Sequence, residues 1–340
     1  MDMVSLTIDG QKVEVPRGTT ILEAAQKVGV DIPTLCYLKD INVVGACRIC
    51  VVEVEGAKAL QASCVTPVSQ GMVVRTNTMK VREARRTVLE LIISNHPYEC
   101  LTCERNRNCE LQALAERFGI REVEYEGERA AFPIDDSTPA IVRDPNKCIL
   151  CRRCLSVCQK VQQVYAIAPN ERGFETMIAP AFGERLMDVA CTMCGQCVLV
   201  CPTGALKERD STREVWEALA DPEKHVVVQT APAVRATVGE VCGLPAGTLV
   251  TGKLVAALRR LGFDKVFDTD FTADLTIMEE GHELIERLQH GGTLPMITSC
   301  SPGWIKFIEH FYPELLPHLS TCKSPQQMLG PLAKTFYAQK

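Results

Sequence analysis

Eight cysteines between residues 148 and 201 constrain this chain more than any other feature. They read C-x2-C-x2-C-x3-C at Cys148, Cys151, Cys154 and Cys158. A second run at Cys191, Cys194, Cys197, Cys201 and Pro202 reads C-x2-C-x2-C-x3-C-P. Three thiolates two residues apart can wrap three corners of one iron–sulfur cubane. The fourth Cys of such a run points away and ligates the other cluster. One 4Fe–4S set is therefore Cys148, Cys151, Cys154 and Cys201, and the second is Cys191, Cys194, Cys197 and Cys158. Zinc is the competing reading, but zinc sites close one Cys pair with another about 15–20 residues on. Gln159 replaces the Pro that follows the second run, which concerns the turn rather than the ligands.

The remaining cysteines extend the pattern. Of the 18 Cys, fifteen fall into ligand-like spacings, leaving Cys242, Cys300 and Cys322. Residues 1–30 lack a basic start followed by an apolar core, and no run of about 18 apolar residues could span a membrane. A cytoplasmic, reducing setting is expected. The net charge of −5 is mild, and no basic stripe suggests nucleic acid. Aromatic content is 5%, low enough to suit domains whose cores are partly inorganic.

Residues 1–78 open with alternating Val4, Leu6 and Ile8, a turn at Asp9-Gly10, and a second strand through Val13 and Val15, a hairpin signal. Thr20 can cap a helix over about 21–28, with Gly29 past its end. Cys36, Cys47, Cys50 and Cys64 then follow as C-x10-C-x2-C-x13-C, a spacing that differs from the plant-type ferredoxin run. Small residues beside them (Gly45, Ala46, Ala62, Ser63) would let backbone N–H groups approach the sulfurs. Zinc is the alternative here too.

Residues 79–125 begin with a helix over 79–93. Its apolar side carries Val81, Ala84, Val88, Leu91 and Ile92. Lys80, Arg82, Arg85 and Arg86 read as a solvated basic face. His96, Cys100, Cys103 and Cys109 then form H-x3-C-x2-C-x5-C, with His96 one turn before a C-x2-C. Imidazole in place of thiolate makes a cluster less negative and raises its potential. Residues 126–137 read as a linker. The two-cubane domain covers 138–210, and the 32 residues between its Cys runs read as a hairpin excursion.

From about residue 215 the pattern changes. Strands are expected at 225–230, 265–268 and 294–298. Helices are expected over 251–261, 273–289, 304–311 and 325–337. Such alternation argues for a parallel α/β arrangement.

The order of modules resembles the FeFe-hydrogenases of the clostridial, many-cluster type. The front Cys spacing and the H-x3-C-x2-C-x5-C motif also resemble the large iron–sulfur subunit of respiratory NADH dehydrogenase. Ala231–Arg235, Thr298–Trp304 and Ser320–Gln327 look like the hydrogenase family's catalytic domain. The resemblance implies an α+β multidomain chain. Its parts would be a β-grasp 2Fe–2S domain (1–78, ligands Cys36, Cys47, Cys50, Cys64), a small 4Fe–4S domain (79–125, ligands His96, Cys100, Cys103, Cys109), a bacterial-type two-cubane domain (138–210) and a partial hydrogenase-like α/β lobe (215–340).

The family's first catalytic motif reads T-S-C-C-P-G-W, its first Cys a proton relay and its second an anchor of the H-cluster. Here Cys300 fills the relay position and Ser301 the ligand position, and a serine alkoxide is a hard, rarely ionised ligand. The family's second and third ligand motifs do not occur before Lys340. Glu280, Glu283 and Ser320 stand at proton-relay positions. The resemblance thus implies one 2Fe–2S and three 4Fe–4S clusters, no H-cluster, and an electron-carrying subunit of a flavin-based, electron-bifurcating oxidoreductase exchanging electrons among NADH, NADPH and ferredoxin. Its implied partners are a flavoprotein that oxidises NAD(P)H, a small 2Fe–2S subunit and ferredoxin, with self-association possible through the 215–340 lobe. A hydrogenase with the rest of its catalytic domain on other residues is the alternative.

Overall fold

Alternation at Val4, Leu6 and Ile8 turns all three side chains to one face, and burying them makes β1 (Met3–Ile8). Asp9 and Gly10 both adopt positive φ, the geometry that joins twisted antiparallel strands, so β2 (Gln11–Pro16) returns alongside β1. In this computed structural model, which describes residues 2–340, α1 (Ile21–Lys27) starts on a capping box between Thr20 and Glu23. It presses Ile21, Leu22, Ala24 and Ala25 onto the sheet. The sheet is completed by β3 (Val51–Val54), β4 (Gln61–Ala62) and β5 (Val73–Arg75) in the order β2-β1-β5-β3-β4, with β1 and β5 parallel. Cys50 and Cys64 lie inside this core, against Val52 and Val74.

Next comes α2 (Met79–Ser94), N-capped by Thr78. Its buried side carries Val81 and Leu89, whereas Leu91 is exposed. The basic face is not wholly solvated. Arg85 is buried, with Nε and Nη2 donating to the Val51 carbonyl at 3.1 and 2.8 Å, and Arg86 pairs with buried Glu90. A guanidinium can enter a core when a free strand-end carbonyl accepts from it, a contact that helical periodicity does not reveal. The short α3 (Glu110–Arg117) begins directly after Cys109.

The double-Cys segment is built from β6 (Ile141–Arg143), α4 (Arg153–Ser156), β7 (Ala168–Asn170), β8 (Met177–Ala179), α5 (Gln196–Leu199) and β9 (Leu206–Glu208). β6 and β9 pair antiparallel and close it, and β7–β8 is the hairpin excursion. The stretch read as a linker is tied in at its end. Asp135 is buried, pairs with Arg143, and accepts from Ser137 Oγ and the Leu186 N–H. All three cysteine-bearing segments belong to one compact unit, Met1–Arg209.

The second unit, Asp210–Lys340, contains α6 (Thr212–Ala220), β10 (Val227–Thr230), α7 (Pro232–Val241), α8 (Thr251–Leu261), β11 (Lys265–Asp268), α9 (Thr269–His290), α10 (Pro302–Phe311) and α11 (Pro325–Leu332). β10 and β11 pair in parallel, crossing through α7 and α8. The strand expected at 294–298 does not form. Pro295 has no N–H to give a ladder, and the segment makes a single bridge, Ile297 to Leu319. Along α9, Phe271, Ile277, Met278 and Leu288 are exposed. Among the described residues no helix is long and apolar enough to cross a membrane.

Candidate metal centres

Cys36, Cys47, Cys50 and Cys64 are all buried at one end of the first sheet. Cys50 precedes β3 and Cys64 follows β4, so pairing of those strands sets their sulfurs 3.3 Å apart. The thiols share protons. Hydrogen bonds with the neighbouring Cys47 and Cys64 sulfurs, and from the Ala46 and Cys47 N–H groups, lower the Cys36 thiol. The contact with Cys64 lowers Cys50 as well. Cys47 and Cys64 are pushed up in return, Cys47 chiefly by its bond to Cys36. Two thiolates are thus already favoured where a cationic centre would bind.

Cys148, Cys151, Cys154 and Cys201 line one cavity. Cys158, Cys191, Cys194 and Cys197 line another. The fourth Cys of each run therefore faces the other run's cavity. The backbone repeats with the sequence: Leu150 and Met193 both take positive φ, as do Arg152 and Gly195 one step on. At Leu150 and Met193 this turns the N–H toward the preceding thiol, 3.4 Å from Cys148 Sγ and Cys191 Sγ. A left-handed residue with a side chain costs about 1–2 kcal/mol, and three of these four positions bear it. Burial pushes Cys148 up to about 11, and Cys151 and Cys197 to about 12. Metal binding here must therefore release protons.

His96, Cys100, Cys103 and Cys109 line a third cavity. His96 Nδ1 is buried without a hydrogen-bond partner. Burial first, then the nearby Lys147, lowers the imidazole to about 4, so it is neutral and able to ligate. A Cβ on Gly204 would lie 2.9 Å from Cys103 Sγ, so only glycine permits this approach. Arg105 Nη2 donates to the Cys201 carbonyl at 2.7 Å, and the Glu110 N–H to the Pro202 carbonyl at 3.0 Å. Arg153 clamps Glu110 with two bonds, 2.6 and 2.9 Å. The third cavity is thereby fastened beside the one lined by Cys148, Cys151, Cys154 and Cys201.

These donor sets fit iron–sulfur clusters. Soft thiols gather around each cavity, one imidazole is held neutral with a nitrogen lacking a hydrogen-bond partner, and backbone N–H groups point at sulfur. Among the described residues no three His, Cys, Asp or Glu side chains converge on a single-ion site.

In the second unit Glu283 Oε1 receives Arg287, at 2.6 Å, and Glu283 Oε2 receives Ser320 Oγ, at 2.7 Å. The Thr321 N–H also donates to it. Cys322 Sγ lies 3.9 Å from the same carboxylate. Burial and Glu283 raise the Glu280 carboxyl. Cys300 is exposed, and Ser301 is the exposed N-cap of α10, making no side-chain capping bond.

Four family models match in chain order. They are a 2Fe–2S iron–sulfur cluster binding domain over 1–79, the NADH-ubiquinone oxidoreductase-G iron–sulfur binding region over 85–124, a 4Fe–4S dicluster domain over 147–205, and the C-terminal domain of the iron-only hydrogenase large subunit over 224–340. Among curated proteins, the NADP-reducing hydrogenase subunit HndD of Solidesulfovibrio fructosivorans is 56% identical over 99% of this chain and 60% of its own length. Iron hydrogenase 1 of Clostridium pasteurianum is 40% identical over 98% of this chain and 58% of its own. A solved chain of an NAD+-reducing NiFe-hydrogenase in the H2-reduced state aligns with a TM-score of 0.58 at 32% identity, covering 61% of this chain and 88% of that one. The chain is thus similar along its length to iron-only-hydrogenase iron–sulfur subunits.

The chain spans about three-fifths of the length of these two curated relatives. It carries both 2Fe–2S and 4Fe–4S binding domains. Sequence reasoning missed the residues that hold these domains together: Arg85, Arg105, Arg153 and Asn42. Buried polar side chains answer carbonyls far away in sequence, and no local spacing marks them. Gly204, two residues past Cys201-Pro202, was the nearest thing to a signal.

Proposed function

We propose that this chain is the electron-carrying subunit of a multisubunit NAD(P)H-linked oxidoreductase. It would hold one 2Fe–2S cluster on Cys36, Cys47, Cys50 and Cys64, and three 4Fe–4S clusters. The first of these uses His96, Cys100, Cys103 and Cys109. The others use the crossed sets Cys148, Cys151, Cys154, Cys201 and Cys191, Cys194, Cys197, Cys158. The proposed divisions are 1–78, 79–125, 138–210 and 215–340.

The observation that carries this reading is the concentration of four soft donor sets in one unit, with hydrogen bonds to the Cys151 and Cys201 carbonyls tying neighbouring sets together. Such clusters supply one-electron chemistry when bound. The chain's own residues fix their order, exclude water and direct N–H groups at sulfur, which tunes potential. A flavoprotein NAD(P)H-oxidising subunit and a small 2Fe–2S subunit are the proposed neighbours, with ferredoxin as a further electron partner and bifurcation as the reaction type. The exposed apolar residues of α9 support a covering partner or second copy on the 210–340 unit.

Ser301, at the position where the family places an H-cluster ligand, supports a role without that cluster. Hydrogen catalysis is the second reading, favoured by the retained Glu283–Ser320 contact. The purified complex, matured with H-cluster assembly enzymes, should evolve no hydrogen from reduced dye and should still pass electrons from NAD(P)H to ferredoxin. Carbon-monoxide-sensitive hydrogen turnover that tracks this chain would replace the first reading with the second.

A further inference from the structure

Asn42 belongs to no ligand set, yet it is completely buried (0% exposed) between two of them. Its Nδ2 donates one hydrogen to the Cys36 carbonyl at 2.7 Å and the other to the Cys151 carbonyl at 3.0 Å. Its Oδ1 accepts from Ser156 Oγ at 2.7 Å, and Ser156 is buried as well. These partners fix the amide's orientation, because the flipped form would set its oxygen against two carbonyls. The backbone is fixed too, with reciprocal bonds between Leu38 and Asn42. Around it Leu35, Ile49 and Leu89 are fully buried and pack with Cys36, Cys47 and Cys151 in one apolar cluster.

We propose that Asn42 is an electron-transfer positioning residue that joins the 2Fe–2S site to the cubane site of Cys148, Cys151, Cys154 and Cys201. The proposal rests on the ligand reading given above. From Cys36 Sγ the bonded path runs through its own carbonyl, across the Asn42 amide nitrogen by two hydrogen bonds, and down the Cys151 carbonyl to Cys151 Sγ. With both clusters bound, this path would let one electron pass between the 2Fe–2S centre and the cubane, the donor being oxidised as the acceptor is reduced. No bond is made or broken and no proton moves, since a carboxamide does not titrate. The same contact fixes the distance between the two ligand loops. An apolar side chain of this size would pack in the pocket but would leave both carbonyls without a donor.

The test uses the full chain with its clusters loaded, comparing wild type with Asn42→Leu, Asn42→Asp and Ser156→Ala. Asn42→Asp keeps the shape but loses both donors. Ser156→Ala keeps the donors and frees the amide to rotate. After flash reduction by a photosensitiser, electron paramagnetic resonance follows the 2Fe–2S signal as its electron passes to the cubane, together with relaxation enhancement of that signal by the neighbouring spin. Both Asn42 variants should keep wild-type iron and sulfide, slow the transfer several-fold and weaken the relaxation enhancement, with Ser156→Ala intermediate. Unchanged transfer and relaxation in iron-replete variants would overturn the proposal and leave Asn42 a staple between segments. Should both Asn42 variants lose iron, Ser156→Ala decides by the same criteria. A wild-type chain with no 2Fe–2S signal would instead overturn the ligand reading on which the proposal stands.

Discussion

His96 and Gly204 show how single residues tune a cluster site here. His96 is neutral, its buried Nδ1 has no hydrogen-bond partner, and it lines a cavity with Cys100, Cys103 and Cys109. His96→Cys should keep a cubane but lower its potential, because a thiolate adds negative charge to the ligand shell. His96→Ala should lose that cluster or make it labile. Redox titration followed by paramagnetic resonance checks both, and unchanged spectra in the two variants would remove His96 from the ligand set. Gly204→Ala places a methyl carbon 2.9 Å from Cys103 Sγ, a contact that real side chains do not tolerate. It should disturb the same signal while sparing the 2Fe–2S one, since Cys36, Cys47, Cys50 and Cys64 sit at the end of a different sheet.

At the scale of elements, β6 is fastened to the segment before it by a buried ion pair unlike most surface bridges. Arg143 and Asp135 are both buried, 3.4 Å apart. Asp135→Ala would strand the guanidinium, and removing one partner of a buried pair costs about 3–5 kcal/mol. Denaturant unfolding of the apo chain measures it. Burial alone would raise the Asp135 carboxyl, but the Ser137 hydroxyl, the Leu186 N–H and Arg143 outweigh it and hold it below the usual range. A depressed carboxylate contributes stability above its unfolded value of about 4, and that contribution is lost as pH falls through the folded value. Asp135→Asn should flatten this acid limb of the stability curve. The elements themselves were largely readable from local pattern: the β1–β2 hairpin from Asp9-Gly10, α1 from its capping box, α8 and β11 from their periodicity and bounding turns. Two readings failed for a shared physical reason. Arg85 is buried because the Val51 carbonyl receives it, and the 294–298 segment is not a strand because Pro295 withholds a donor and β10–β11 pair without it. Both outcomes depend on tertiary partners that a local window does not contain.

At the scale of the molecule, the Cys and His spacings name sixteen candidate ligands, and the fold gathers those residues into four groups within one compact unit. Asn42 and Arg105 bond carbonyls 109 and 96 residues away, and Arg153 a carboxylate 43 residues away, so local spacing does not mark them. The central claim is that the four sets carry clusters and form one electron path. Its most direct test is the iron and acid-labile sulfide content of the purified, anaerobically reconstituted chain. One 2Fe–2S and three 4Fe–4S clusters give about 14 iron and about 14 sulfide per chain, with His96→Ala lowering both by about four. Stoichiometric zinc, or only about two or three iron per chain, would contradict it.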